Sequence, residues 1–116
     1  MHITCTIRKT ETQAWVAEFF DGTRTEDQDF PFGKRIRDVH PGEFLNLIHQ
    51  GRIRGRLQIT RVEHAQRTVP VGSEQKPVDS HTIIWVHCPG EAAGDRNIPR
   101  KSHKGFRYDG VPEWAG

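Results

Sequence analysis

The stretch from Val39 to Val62, VHPGEFLNLIHQGRIRGRLQITRV, decides the fold. His40-Pro41-Gly42-Glu43 is a turn signal, since proline presets the φ of one turn position and glycine accepts the positive φ of another. Phe44-Leu45-Asn46-Leu47-Ile48 is short and bounded by turns on both sides, which predicts a strand rather than a helix. Gln50-Gly51 then turns the chain. Residues 52–60 alternate, with Ile53, Leu57 and Ile59 on one face and Arg52, Arg54 and Arg56 on the other, as a period of two requires. Gly55 falls on the apolar face, where a missing side chain permits a bulge or a close neighbour. At Arg61-Val62 the alternation slips by one, marking a further bulge or the strand's end.

Working outward, residues 2–8 alternate around Ile3, Cys5 and Ile7 and predict a half-buried first strand. Thr10 with Gln13 has the form of a capping box, and Ala14, Val16, Ala17, Phe19 and Phe20 supply an apolar stripe, so a helix is expected there and Gly22 ends it. From Thr23 to Gly33 the chain is polar and acidic, an expected loop or irregular edge from which Phe30 and Phe32 fold back onto the core. Residues 64–80, with Pro70, Gly72 and Pro77, read as a long surface loop. Thr82 to His87 is the best candidate for a central strand, and Lys104 to Tyr108 for a short last one.

A chain of 116 residues has room for one domain, and 34% apolar content allows only a thin core. No apolar run approaches the roughly 20 residues of a bilayer crossing, and MHITCTIRKT lacks the apolar stretch of a secretion signal, so a soluble, cytoplasmic protein without a membrane partner is expected. Cys5 and Cys88 show no metal or disulfide spacing and read as reduced buried thiols. The seven histidines show no zinc-finger spacing; no metal and no cofactor are expected. Charge is uneven. Residues 1–33 hold three basic groups against six acidic (−3), and residues 34–116 hold fourteen against nine (+5), which points to a face for polyanions in the later two-thirds.

Three segments resemble the PUA-like superfamily, in its ASCH branch: AWVAEFFDGTRTE (14–26), similar to a helix ending in Gly-x-Lys-Thr-x-Glu; the stretch 39–62; and IPRKSHKGFRY (98–108), similar to the approach to a closing Lys-Gly-Phe strand. The resemblance implies an α+β fold over residues 1–116: a small PUA-like β-barrel of about five to six strands with one or two helices, and a tail at 109–116. Two departures stand out. Arg24 replaces the motif lysine, and Gln28 and Asp29 stand where a further arginine is usual.

The same resemblance makes Arg24, Thr25 and Glu26 the first site candidates, facing a cleft between helix and barrel. Arginine stays charged, so Arg24 suits clamping a phosphate or carboxylate better than moving a proton. A solvated turn with a local ion pair is the other reading. Arg52, Arg54 and Arg56, about 6.6 Å apart along one face, match the spacing of successive phosphates, or else they guard an edge strand. Arg35, Arg37, Lys104 and Arg107 belong to two more basic clusters, the second interleaved with His103, Phe106 and Tyr108, a composition suited to single-stranded RNA; the other reading is that Phe106 and Tyr108, which alternate, both face the core. Trp15 and Trp85 read as core, and Trp114 as either a lid over the barrel's open end or part of a disordered tail. The leading expectation is an RNA- or nucleotide-binding domain. The alternatives are a small hydrolase acting on RNA or an acylated nucleoside, with Glu26 as acid or base, and an accessory domain contacting a protein partner through 64–80 and the tail. Arg67, in that loop, is expected to matter much less than Arg24.

Overall fold

The central hairpin is present in the computed structural model of the chain, which describes residues 1–115 and the side chains of all of these except 65–71, 76–80 and 115. Its first strand is preceded by β1 (Ile3–Thr6), a short helix α1 (Gln13–Ala17) and β2 (Gln28–Phe32). The hairpin is β3 (Phe44–His49) and β4 (Arg52–Val71); β5 (Glu74–Val86), β6 (Glu91–Ala92), β7 (Phe106–Tyr108) and a closing 3-10 turn (Pro112–Ala115) follow. The fold is therefore β-rich rather than evenly α+β. Thr12, not Thr10, caps α1, accepting from the Trp15 backbone N–H at 3.0 Å, and the helix runs only five residues. No helix among the described residues is long and apolar enough to cross a membrane.

The strands form one sheet in the order β2-β5-β4-β3-β1-β7, with β6 added beside β4. β1 runs parallel to β3, and the other pairs are antiparallel. The sheet curls into a half-barrel. Its two edge strands do not pair, yet the rings of Phe32 on β2 and Phe106 on β7 meet edge to face, their centroids 6.2 Å apart. Residues 64–80, expected as a loop, instead extend the ladder between β4 and β5 as far as Val71↔Glu74, around the turn at Gly72. A two-stranded ribbon leaves outer edges unpaired, and there Pro70 and Pro77 deprive no neighbour of a donor. Arg67 is on this ribbon, outside the described side chains.

The register of the hairpin corrects the expected row of arginines. Leu47 pairs with Gly55, but Ile48 pairs with Ile53, so Arg54 is the extra residue of a β-bulge. Beyond it the facing of β4 inverts. Leu57 and Ile59 join Leu45, Leu47, Val16 and Phe19 in the main core, whereas Ile53 joins Ile48, Ala93, Ile98, Val111 and Trp114 in a second cluster. Paired residues share a face, so Arg52 lies with His49, on the face opposite to Arg56, which pairs with Asn46.

Cys5 and Cys88 are free and buried. Burial pushes the Cys5 thiol up to about 12, which keeps it neutral and unreactive.

The glycine of this bulge region also seats the helix. A Cβ on Gly55 would lie 2.4 Å from the ring of Phe20 and 2.7 Å from the carbonyl oxygen of Glu91. One contact is an aromatic side chain wedged against the core and the other is backbone, so neither yields freely. Gly55→Ala is expected to destabilise the fold by about 1–3 kcal/mol, the usual range for overpacking, measured by denaturant unfolding; an unchanged midpoint would show that Phe20 does not depend on that space.

Candidate nucleic-acid interface

Arg24 follows the turn after α1 and is committed to the protein's own structure. Its Nη1 donates to Gln28 Oε1 at 3.0 Å, its Nη2 lies 3.4 Å from Glu18 Oε1, and its guanidinium stacks over the Phe19 and Trp15 rings at 4.4 and 5.4 Å. It borders a cavity of about 340 Å³ together with Arg8, Trp15 and Asp29, between the end of β1, α1 and β2. No residue of β3 or β4 lines that cavity. Thr25 and Glu26 are exposed and do not line it either. Among the described residues the Glu26 carboxylate has no hydrogen bond or ion pair, so nothing adjoins it to act as anion holder or proton partner.

The hairpin arginines are split by the bulge. Arg56 is held internally: Nε and Nη2 both donate to Glu91 Oε2, at 3.1 and 3.0 Å, and the guanidinium lies between the rings of Phe44 and Trp114 at 4.4 and 4.8 Å. Arg54 Nε donates to the His49 carbonyl at 3.0 Å, and burial together with the neighbouring Arg52 lowers its pKa. Arg52 is exposed. These three do not make a continuous phosphate track.

A basic face forms elsewhere, where the curled sheet's edges approach. The Tyr108 hydroxyl donates to the Arg37 carbonyl oxygen at 2.5 Å. That bond sets β7 beside the segment 34–38, so two basic runs far apart in sequence, Lys34-Arg35-Ile36-Arg37 and Lys104 to Arg107, become neighbours. Lys34, Arg35, Arg37, Lys104 and Arg107 are all exposed, and the Tyr108 ring among them is 43% exposed. Arg107 alternates with Tyr108 and so leaves β7 on the other face. From Arg37 the face continues into a groove of about 490 Å³ that Arg35, His40, Arg61 and His64 also line. Arg61 stacks on the Trp85 ring at 4.8 Å and pairs with Glu63 at 2.8 Å. Arg61 and His64 escaped sequence reasoning; the slip of alternation at Arg61 was the one signal there, and it gave no direction.

Trp114, which completes the Arg56 sandwich, is held down by charge. Arg100 bonds Asp109 at 2.7 Å and grips both carboxylate oxygens of Glu113. The Arg100 hydrogen bond holds the Glu113 carboxyl well below its ordinary 4.5, at about 2. The Arg56 hydrogen bond likewise lowers that of Glu91, which accepts from the Trp114 indole at 3.4 Å. A carboxylate with a lowered folded pKa contributes stability above its unfolded pKa and loses it as the folded value is passed on acidification. The Trp114 indole N–H resonance should therefore hold its position from neutral pH down to about 5 and move between about 4.5 and 2. Movement already complete above pH 5 would place the control elsewhere.

Comparison of the chain with protein-family models, with curated proteins and with solved structures finds no match.

Proposed function

We propose that this chain is a PUA-like domain of ASCH type that binds RNA, or a nucleotide, along the basic face where β7 meets the segment 34–38. The order strand, helix, edge strand, hairpin, long strand and short closing strand supports the kinship, as do the three motif segments. The binding reading is carried by one observation, the Tyr108–Arg37 bond, which assembles two acid-poor basic runs around an exposed aromatic ring. Lysine and arginine neutralise phosphates along a strand, while an exposed ring stacks on any base, so the combination suits single-stranded RNA better than a duplex, whose bases are already stacked. Catalysis has no support of this kind, since Glu26 is exposed and unaccompanied.

The test is fluorescence anisotropy with a labelled single-stranded RNA at about 50 and 200 mM salt. Binding is expected at the lower salt and a steep loss at the higher. The Arg37→Ala, Lys104→Ala double variant should flatten the slope of log K against log salt by about 1.4, at roughly 0.7 per lost phosphate contact. Tyr108→Ala should cost about 1–3 kcal/mol, the worth of one stacked base. No binding at 50 mM salt removes the proposal; binding with an unaltered slope in the double variant removes this face from it.

A further inference from the structure

The groove beyond Arg37 is lined by the segment that carries the first basic run and by β4, and a single buried hydroxyl ties the two together. Thr82, on β5, is fully buried and pairs across the ladder with His64. Its Oγ1 accepts the Ile36 N–H at 2.9 Å, from the middle of Lys34-Arg35-Ile36-Arg37, and lies 3.0 Å from Nδ1 of His64. Segment and strand therefore hold their spacing through one atom.

That atom also fixes the form of the ring. The Ile36 N–H can only donate, so the Thr82 hydroxyl keeps its own hydrogen for the second bond. A buried hydroxyl finds an acceptor, and among the described residues Nδ1 of His64 is the one that this hydrogen meets. Nδ1 is then the ring's acceptor, and the ring hydrogen sits on Nε2. His64 is exposed and lines the groove while its Nδ1 edge is turned to the buried Thr82, which leaves the Nε2–H edge to the groove. In this form the ring is an uncharged donor.

The other polar groups of the lining decide what the donor meets. Arg35, Arg37 and Arg61 supply cations, Asp38 a carboxylate, and His40 a second ring. Glu63, outside the lining, offsets Arg61 at 2.8 Å, and the Thr60 hydroxyl is spent on Asp27 at 3.0 Å. This balance suits an anion of low charge better than a cation. A phosphodiester carries a single charge on two unesterified oxygens, so one can take an arginine and the other the Nε2–H. We infer that His64 donates from Nε2 to a backbone phosphate of RNA lying in this groove, a contact that adds affinity without adding counterion release. The contact rests on the RNA-binding reading and extends that face by one phosphate beyond Arg37.

The unmodified chain and its variants are titrated with labelled oligouridine by fluorescence anisotropy over a salt series at about pH 8, where an ordinary histidine has lost its proton. His64→Ala should weaken binding about tenfold, the worth of one hydrogen bond to a charged group, and leave the slope of log K against log salt unchanged. Arg37→Ala should instead flatten that slope by about 0.7. His64→Gln, which carries an N–H to a similar reach, should recover most of the loss, and oligoadenosine should show the same pattern because its backbone is the same. In the free chain, nitrogen resonances should place the hydrogen of His64 on Nε2, and adding RNA should shift that resonance. No binding by the unmodified chain overturns the RNA reading and this contact with it. Binding that His64→Ala leaves as it was, a slope that falls in that variant as it does in Arg37→Ala, a loss that differs between the two oligomers, or a hydrogen found on Nδ1 overturns the contact alone.

Discussion

The parallel pairing of β1 with β3 is the constraint on which the rest of this structure depends. Ile3 to Thr6 lie beside Leu45 to Ile48 in the same direction. Antiparallel neighbours are joined by a tight turn, whereas parallel ones need a crossover of a dozen residues or more. Residues 7–43 make that crossover, and they carry α1, β2 and the basic segment 34–38 with them. The helix and the turn after it pack Val16 and Phe19 into the main core, β2 runs out to pair with β5 at the far edge, and the chain must then return to start β3. On the way back it passes β7, the strand on β1's other side, and there Arg37 receives the Tyr108 hydroxyl. The basic face is thus a product of topology, fixed by where a returning crossover has to go.

A second decision is made in β4. One bulge at Arg54 turns Ile53 away from Leu57 and Ile59, and the single strand then serves two apolar clusters on opposite faces of the sheet. The second cluster needs a cover, which the segment through Ile98 and the closing turn at Trp114 supplies, clamped by Arg100 on Asp109 and Glu113. The same bulge gives the hairpin end its unusual chemistry. It tips the Arg54 side chain back onto the His49 carbonyl, and Gly55 beside it admits Phe20, so helix and hairpin enclose a cavity with unpaired polar groups.

Much of the strand content was legible because alternation and turn residues are local signals. The strands around Ile3, Leu45, Ile84 and Phe106 lie where the pattern put them, Phe32 is buried and Phe30 packs against the core, as their place in a polar stretch required. Gly55 was readable as a position for both a bulge and a close neighbour, and it has each. What pattern could not give was the phase across the bulge. Residues 52–59 alternate in sequence as if unbroken, and only the partner strand reveals that Ile48 faces Ile53 and not Arg54. The ribbon at 64–80 was missed for a different reason. Its composition is that of a loop, but main-chain pairing with an equally polar partner needs no apolar face. The Tyr108–Arg37 contact joins residues 71 apart, beyond the reach of any local rule.

The basic and aromatic composition that pointed to a polyanion was ambiguous for a physical reason. Arginine and aromatic rings attract each other whether the ring belongs to a base or to the same chain. Here every tryptophan is covered by an internal arginine: Trp15 by Arg24, Trp85 by Arg61, and Trp114 by both Arg56 and Arg96. Those pairs account for four cations that the sequence alone offers equally to RNA. Among the cations outside those pairs are the exposed Lys34, Arg37, Lys104 and Arg107, and Tyr108 is the broadly exposed aromatic side chain among the described residues. A cation already stacked and ion-paired, as Arg56 is, must break those contacts before it can meet a phosphate, while Arg37 is exposed on a segment whose carbonyl holds the Tyr108 hydroxyl. Arg37, which forms no such pair among the described side chains, lies where the two edges of the sheet meet.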